Sequence, residues 1–223
     1  MTDSPEKPPE PNGETPVPKA VVNRLSLYLR ELQRLTQYGH ETTSSTQLGK
    51  LLGFTDAQVR KDLAYFGQFG YPGIGYRCSE LIDKIKEILG TDQPWALAIV
   101  GLGNLGRALI GYRGFTHQGF RIAAAFDVDP AKVGQKVEGI PIYHLDDATQ
   151  VVRQLAIRLA IIAVPAPAAQ RVADALVAAG VDGILNFAPV TISVPKTIQL
   201  EGVDLAIELE QLSFAVVNKI ARP

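Results

Sequence analysis

Ala96-Leu97-Ala98-Ile99-Val100-Gly101-Leu102-Gly103-Asn104-Leu105-Gly106-Arg107-Ala108-Leu109 decides the fold of this 223-residue chain. A short apolar run that ends in G-x-G-x-x-G and leads into a helical pattern is the sequence form of a strand, a phosphate loop and a helix. Gly101 permits the tight turn out of the strand, Gly103 lets backbone approach a pyrophosphate, and Gly106 lets the helix pack closely on the strand. Free N–H groups and the positive end of the helix dipole face the same point. Gly101, Leu102, Gly103, Asn104, Leu105 and Gly106 are therefore candidate cofactor-binding residues. A second run, Arg121-Ile122-Ala123-Ala124-Ala125-Phe126-Asp127, ends in an acid about 20 positions beyond the loop, where a carboxylate accepts hydrogen bonds from a ribose diol. Asp127 would also repel a 2′-phosphate, which favours NAD(H) over NADP(H).

Downstream of this pair, Ile140–Tyr143 reads as a strand, 146–155 as a helix, and Leu159–Val164 as a buried parallel strand ending at Pro165. Ala166–Ala179 reads as a helix stopped by Gly180, and Gly183–Leu185 as a further strand. This alternation predicts an α/β fold with a Rossmann-type dinucleotide-binding domain over 91–207. Ligands of such sheets lie beyond the carboxyl ends of the strands, so Pro165, Asn186, Phe187, Ala188 and Pro189 are candidate walls for a nicotinamide. Ordinary loop roles for them stay open. In the terminal segment, 208–223, Leu209, Leu212, Val216 and Ile220 recur at near-helical spacing after Leu205, with Phe214 and Val217 on an adjoining stripe. That apolar face must lie on its own sheet or on another molecule.

Upstream, residues 1–18 hold six prolines among acids, which predicts a disordered tail. From Lys19 the pattern turns helical: Val21, Leu25, Tyr28, Leu32 and Leu35 fall on one face, and Gly39 ends the run. Ser44 with Gln47, and Thr55 with Gln58, fit two capping boxes on either side of the Gly53-Phe54 turn. Helix, tight turn, helix is the helix-turn-helix arrangement. In its second helix Val59, Leu63 and Phe66 should face the core, which leaves Gln58, Lys61, Asp62 and Tyr65 on the solvent face with Arg60 at its flank. Gln suits adenine edges, Arg or Lys suits guanine, and Tyr suits phosphate or a thymine methyl. The glycine and aromatic alternation of Gly67–Tyr76 suits a tight hairpin, the wing of a winged helix, whose tip can lie on a phosphate backbone. A helix over Ser79–Leu89 and a linker over Gly90–Pro94 complete a winged helix-turn-helix domain at 19–90. Candidate DNA contacts are Ser45, Gln58, Arg60, Lys61, Tyr65, Phe69, Gly73 and Gly75.

Charge supports this division. The whole chain is near neutral at −1, but 1–18 carries −3, 19–90 carries +3 and 91–223 carries −1. No run of about 18 apolar residues and no secretory signal occurs, which predicts a cytoplasmic protein with no membrane span. The single cysteine, Cys78, forms no internal disulfide or Cys-x-x-Cys pair and reads as a small semi-buried side chain. His40, His117 and His144 have no metal-ligand spacing, so no metal is expected.

Taken together, Gln58-Val59-Arg60-Lys61-Asp62-Leu63-Ala64-Tyr65-Phe66-Gly67, the glycine-rich wing, the Gly101–Gly106 loop, Phe126-Asp127-Val128-Asp129-Pro130-Ala131-Lys132-Val133-Gly134 and Ile184-Leu185-Asn186-Phe187-Ala188-Pro189 resemble the Rex family of redox-sensing transcriptional repressors. The resemblance runs from about Lys19 to Val217. It implies a homodimer that binds palindromic double-stranded operator DNA and leaves it when NADH displaces NAD⁺. It implies further that the terminal helix reaches across to the partner subunit, swapped between copies, and serves dimerisation. Three switch residues come from the resemblance alone: Arg30, Tyr112, which is also a candidate cofactor-binding residue, and Asp204, with Asp204 pairing Arg30 across the dimer and turning to the Tyr112 hydroxyl when NADH is bound. Read from the residues alone, they are a solvated helix charge, a helix-end aromatic and a strand-end acid. Two other function classes stay open: an NAD-dependent dehydrogenase, for which no second substrate domain remains and only His117 or His144 offers a general acid, and a CoA- or ADP-binding module. No catalytic residue is expected.

Overall fold

The computed structural model describes residues 17–220, with side chains to Asn218. The tail expected over 1–18 thus lies, for residues 1–16, outside the described residues. The chain divides into two compact units, with the boundary in sequence between Gln93 and Pro94.

The first unit runs α1 (Lys19–Gln37), β1 (Thr42–Thr43), α2 (Ser45–Leu52), α3 (Asp56–Ala64), β2 (Tyr76–Arg77) and α4 (Cys78–Leu89). The expected stripe of α1, Val21, Leu25, Tyr28, Leu32 and Leu35, is buried. It meets Leu48 of α2, Val59 and Leu63 of α3, and Leu81 and Ile85 of α4 in one core. Each capping box is half made. The Ser44 hydroxyl accepts from the Gln47 N–H and the Thr55 hydroxyl from the Gln58 N–H, both at 3.1 Å. The glutamine side chains go elsewhere, Gln47 to the Thr43 hydroxyl and Gln58 to Asp62. In the wing, Tyr71 and Gly75 exchange backbone hydrogen bonds of 2.7 and 3.0 Å around a tight turn. The returning strand β2 pairs antiparallel with β1, Thr42 opposite Arg77.

The second unit runs β3 (Trp95–Val100), α5 (Asn104–Ile110), α6 (Gly114–His117), β4 (Phe120–Asp127), β5 (Lys136–Val137), β6 (Ile140–His144), α7 (Ala148–Gln154), β7 (Leu159–Ile162), α8 (Ala166–Ala179), β8 (Gly183–Asn186), β9 (Gln199–Gly202) and α9 (Leu205–Ile220). Its sheet has the order β5-β6-β4-β3-β7-β8-β9. All neighbours are parallel except β5 with β6. Without β5 this is the Rossmann strand order, and the chain reverses direction across the sheet between β3 and β7. Alternate residues of β3 face opposite layers, as strand geometry requires. Ala98 and Val100 join Phe126, Ile162, Val172 and Leu176 on one side, whereas Leu97 and Ile99 join Leu102, Ile110 and Ile122 on the other.

Three details correct the sequence reading. The helix expected over 146–155 opens as a tight 3₁₀ turn, Leu145–Asp147. Strands β5 and β9 were not anticipated, because one is two residues long and the other, Gln-Leu-Glu-Gly, is a polar edge. The terminal helix begins at Leu205 rather than 208, and 221–223 lie outside the described residues. It does not lie on its own sheet: its apolar side chains are 49–71% exposed.

Candidate functional site

The glycine loop is closed toward the protein and open toward solvent. Gly101 has φ +94°, and a Cβ there would stand 2.6 Å from the Ala163 carbonyl oxygen at the end of β7. A Cβ on Gly106 would run into the Gly101 carbonyl, so the helix sits directly on the loop. Gly103 differs, since a Cβ there meets nothing within 4 Å. Gly103, Asn104 and Leu105 are exposed at the start of α5, where N–H groups of a first helical turn have no intrahelical acceptor. An anionic pyrophosphate fits such a cradle on both shape and charge. Leu102 departs from the expectation. Its side chain is buried in the core and its N–H donates to Asp127 Oδ2 at 2.9 Å, so it braces the loop.

Asp127 ends β4 beside the loop and is only 8% exposed. Its Oδ1 accepts from the N–H groups of Val128 (2.8 Å) and Asp129 (3.0 Å), and its Oδ2 from Leu102 and from Lys132 Nζ (3.0 Å). Burial pushes the carboxyl up, but the hydrogen bonds from Asp129, Lys132 and Leu102 outweigh it and hold the group below the usual carboxylate range. Four donors fill the acceptor sites of a carboxylate. A ribose diol must therefore share or displace the Lys132 ammonium. Lys132 was missed; its signal is the acid-turn-lysine spacing of Asp127-Val128-Asp129-Pro130-Ala131-Lys132.

The expected nicotinamide walls divide into braces and surface. Pro165 is exposed where β7 hands over to α8. Asn186 is buried and spends its side chain on its own loop, accepting from the Ala188 N–H (3.0 Å) and donating to the carbonyls of Ala188 (3.2 Å) and Val190 (2.9 Å). It also lines the cleft that Ala188 and Pro189 border. Phe187 packs partly into the core and its N–H continues the sheet to the Ile162 carbonyl. Ala188 and Pro189 line a cleft of about 470 Å³ together with Val190, Thr191, Gly202 and Asp204. Asp204 is a helix cap rather than a strand-end acid: its Oδ1 accepts from the Ala206 N–H at 2.9 Å at the start of α9. Tyr112 follows α5, is 55% exposed, and stands edge-on to Phe115. Arg30 is exposed on α1. His144 Nδ1 accepts from the Asp146 N–H and so caps a turn.

On α3, Arg60 and Lys61 are exposed as expected. Arg60 is held by Asp56 (2.7 Å) and by the Ser45 hydroxyl (3.1 Å), which ties the two helices of the turn together. Asp62 contradicts the expected solvent face. It is fully buried, because Arg24 and Tyr28 of α1 reach over it, and the Gln58 amide donates to it at 2.7 Å. The outward face of α3 is Ala57, Arg60, Lys61 and Ala64, with Tyr65 half-buried. Phe69 packs on the core rather than at the wing tip. Gly73 is at the tip with φ +76°, whereas Gly75 lies tight against the Thr43 backbone. The exposed side chains of the wing and its return include Tyr71, Ile74 and Arg77, and the Arg77 guanidinium stands 4.9 Å over the Tyr71 ring. These were missed, although an aromatic, an apolar residue and a cation across a glycine-rich turn are themselves a signal. Cys78 is buried, and burial pushes its thiol up, which makes it unreactive. Among the described residues no cluster of three or more His, Cys, Asp or Glu could hold a metal, and no helix is long and apolar enough to cross a membrane.

A nucleotide loop in one unit and a cationic helix-turn-helix in the other narrow the comparison with known proteins. A redox-sensing transcriptional repressor Rex from Syntrophobacter fumaroxidans is 49% identical over 199 residues, covering 89% of this chain and 95% of that protein. This chain belongs to the Rex family of redox-sensing transcriptional repressors. A second Rex, from Carboxydothermus hydrogenoformans, is 47% identical over 90% of this chain and 96% of its own length. The Rex from Streptomyces coelicolor is 46% identical over 89% of this chain and 77% of its own. The fold matches the crystal structure of RSP in complex with beta-NAD⁺ and operator DNA, with TM-score 0.87, 34% identity and coverage of 93% and 96%. It matches RSP in complex with beta-NADH with TM-score 0.82, 33% identity and coverage of 93% and 98%. Residues 92–190 match the family described as "CoA binding domain", and 16–64 that described as "Putative DNA-binding protein N-terminus". CoA and NAD share an adenosine diphosphate, the part a glycine loop holds, so the first description is the broader one. As a Rex-family chain this protein is a regulator and not an enzyme, which removes the dehydrogenase reading.

Proposed function

We propose that two copies of this chain bind a palindromic operator through α3 and the wing of each, and that NADH, taking the place of NAD⁺, releases them. The division 19–90 for DNA, 91–207 for NAD(H) and a terminal helix for dimerisation belongs to the same proposal, with the helix taken from Leu205. The observation that carries the nucleotide half is the cradle at Gly103, packed behind by Gly101 and Gly106 and open in front. Gly103, Asn104 and Leu105 would hold the pyrophosphate, and Asp127 with Lys132 would meet the adenosine ribose. The nicotinamide supplies the signal, since its two redox states differ by one positive charge and by ring planarity. Pro165, Ala188 and Pro189 stand at the strand ends where that ring would lie. No metal enters this scheme, and the chain acts in the cytoplasm, where nicotinamide pools and DNA meet.

Regulation by a ligand needs differential affinity for two states and no chemistry. Moving a repressor from 1:99 to 99:1 takes about a 10⁴-fold preference, about 5.5 kcal/mol. A charged pair that changes partner is a suitable source, and we assign it to Asp204, passing from Arg30 of the other copy to the Tyr112 hydroxyl. The exposure of Arg30 and Tyr112, and the place of Asp204 on an open cleft, support that assignment. The apolar face of α9 supports a partner copy as its cover. A fluorescence-anisotropy series on a palindromic duplex, with NADH and NAD⁺ added separately, tests the whole. NADH should dissociate the complex at concentrations where NAD⁺ does not. Equal effects of the two nucleotides would overturn the redox reading, and absence of selective DNA binding would overturn the repressor reading for this chain.

A further inference from the structure

On α3, Arg60 and Lys61 are followed by an acid that turns toward α1. Asp62 follows them directly in sequence and is 0% exposed. Its carboxylate takes four hydrogen bonds. Arg24 donates through Nε to Oδ2 (2.5 Å) and through Nη2 to Oδ1 (2.8 Å), a two-pronged fork. The Tyr28 hydroxyl donates to Oδ2 at 2.7 Å and the Gln58 amide to Oδ1 at 2.7 Å. Arg24 and Tyr28 are one turn apart on α1, and Gln58 and Asp62 are one turn apart on α3. The group is therefore a lock between two helices.

A buried ion pair of this kind is a poor source of stability, because desolvation offsets most of the attraction. Geometry is what it fixes. The planar guanidinium accepts a carboxylate in one plane and at two points, so it resists rotation of α3 about its own axis. At a helix radius with side chains of about 5–6 Å, a 20° rotation would move Arg60 and Lys61 by about 2 Å. A recognition constellation tolerates only about 0.5 Å. The Gln58 amide nitrogen is committed to the same carboxylate.

We infer that Asp62 and Arg24 are positioning residues for the DNA-reading helix, completed by Tyr28, and that Gln58 is a strut of this lock rather than a reader of bases. The inference rests on the reading that α3 presents Arg60 and Lys61 to DNA. The Asp62 carboxyl fits the role. Burial pushes it up, but the hydrogen bonds from Arg24, Tyr28 and Gln58 outweigh burial and keep it ionised below the usual range.

The test separates geometry from stability with two kinds of variant. Arg24→Lys keeps the charge and removes the fork. The triple variant Arg24→Met, Tyr28→Phe, Asp62→Leu replaces the buried polar group by apolar side chains, so the fold survives without the lock even where a single substitution does not fold. Each is assayed well below its own melting temperature for binding to operator, to operators with single base-pair changes, to unrelated duplex, and to NADH. Both should lose tenfold or more of operator affinity and of the operator-to-unrelated ratio, with the loss spread over all positions and NADH affinity within twofold of wild type. Gln58→Ala should likewise lower discrimination at all positions together. A folded triple variant and Arg24→Lys that keep wild-type affinity and ratio would overturn the lock. Loss of discrimination at one base pair alone in Gln58→Ala would make it a reader and overturn the strut. Unchanged operator binding in Lys61→Ala and Arg60→Ala would overturn the reading of α3 itself, whereas loss in those two beside normal lock variants overturns the lock alone.

Discussion

The apolar face of α9 makes a quantitative prediction about assembly. Leu209 is 66% exposed and Leu212 is 59% exposed in a helix whose apolar face none of the described residues covers. Fully burying a leucine side chain is favourable by about 1.5–3 kcal/mol, so regaining roughly two-thirds of it amounts to about 1–2 kcal/mol. In a symmetric pair each substitution counts twice. Leu209→Ala with Leu212→Ala should then cost the dimer about 4–8 kcal/mol, which at 1.4 kcal/mol per decade raises its dissociation constant about 10³-fold or more. Alanine is the best helix former, so α9 itself and the monomer fold should be spared. Sedimentation velocity over nanomolar to micromolar protein measures the shift, and operator affinity should fall with it because both half-sites must be held at once. A double variant that stays dimeric at wild-type concentrations, with normal circular dichroism, would refute the argument that this face is covered by a second copy.

Four further outcomes follow from particular contacts. Gly103→Val should weaken NADH binding by one or two charge-assisted hydrogen bonds, about 1.5–3 kcal/mol each, and leave the melting temperature unchanged, whereas Gly101→Ala should lower the melting temperature because φ +94° and the Ala163 carbonyl both oppose a Cβ; calorimetry reads both. Lys61→Ala should weaken operator binding alike across sequences and reduce the salt slope by about one, with NADH titration unchanged. The carboxyls of Asp62 and Asp127 are both held below their ordinary value, so the stability they contribute is present above the unfolded carboxylate range near 4 and is lost as pH falls through the lower folded values; urea midpoints should drop with acid, and Asp127→Asn should flatten that drop. Tyr112→Phe should bind NADH normally and release operator poorly, and Asp204→Asn, which keeps the α9 cap while removing the charge, should do the same; release at the wild-type NADH concentration in both would move the switch elsewhere.

The elements that were legible are those whose cause is local. Strand β3, the Gly101–Gly106 turn and α5 follow from an apolar run and three glycines, and α1 from one stripe at helical spacing. The two caps at Ser44 and Thr55 were legible for the same reason. Strand β9 was not, since Gln199–Gly202 has no apolar alternation and exists because β8 offers an edge to pair with. The site divided along the same line. Gly103 and Lys61 are exposed as expected, because a turn or a helix face determines it. Asn186 reads as a wall because it follows a strand, and it does line the cleft, but the bonds of its amide to Ala188 and Val190, which close the loop, are not legible from that position.

The two acids make the physical point most sharply. In sequence Asp62 is one of several polar residues on a helix face, and Asp127 is an acid at the expected distance from a glycine loop. Each was read as facing outward, toward solvent or toward a ribose. Both turn inward, where four donors offset the cost of burying the carboxylate, and the deciding donors come from far off in sequence: Arg24 from 38 residues upstream, the Leu102 N–H from 25. No window around Asp62 contains Arg24. The consequence differs at the two sites. At Asp127 the donors are the glycine loop and a lysine, so a ligand that takes one of those bonds is felt by the loop that holds its phosphates. At Asp62 three of the four hydrogen bonds come from α1, the helix that also carries Arg30. A load on α1 therefore reaches Arg60 and Lys61 through that carboxylate as well as through the shared core of Val59 and Leu63, and the sensitivity of DNA binding to the carboxylate measures its share of the coupling.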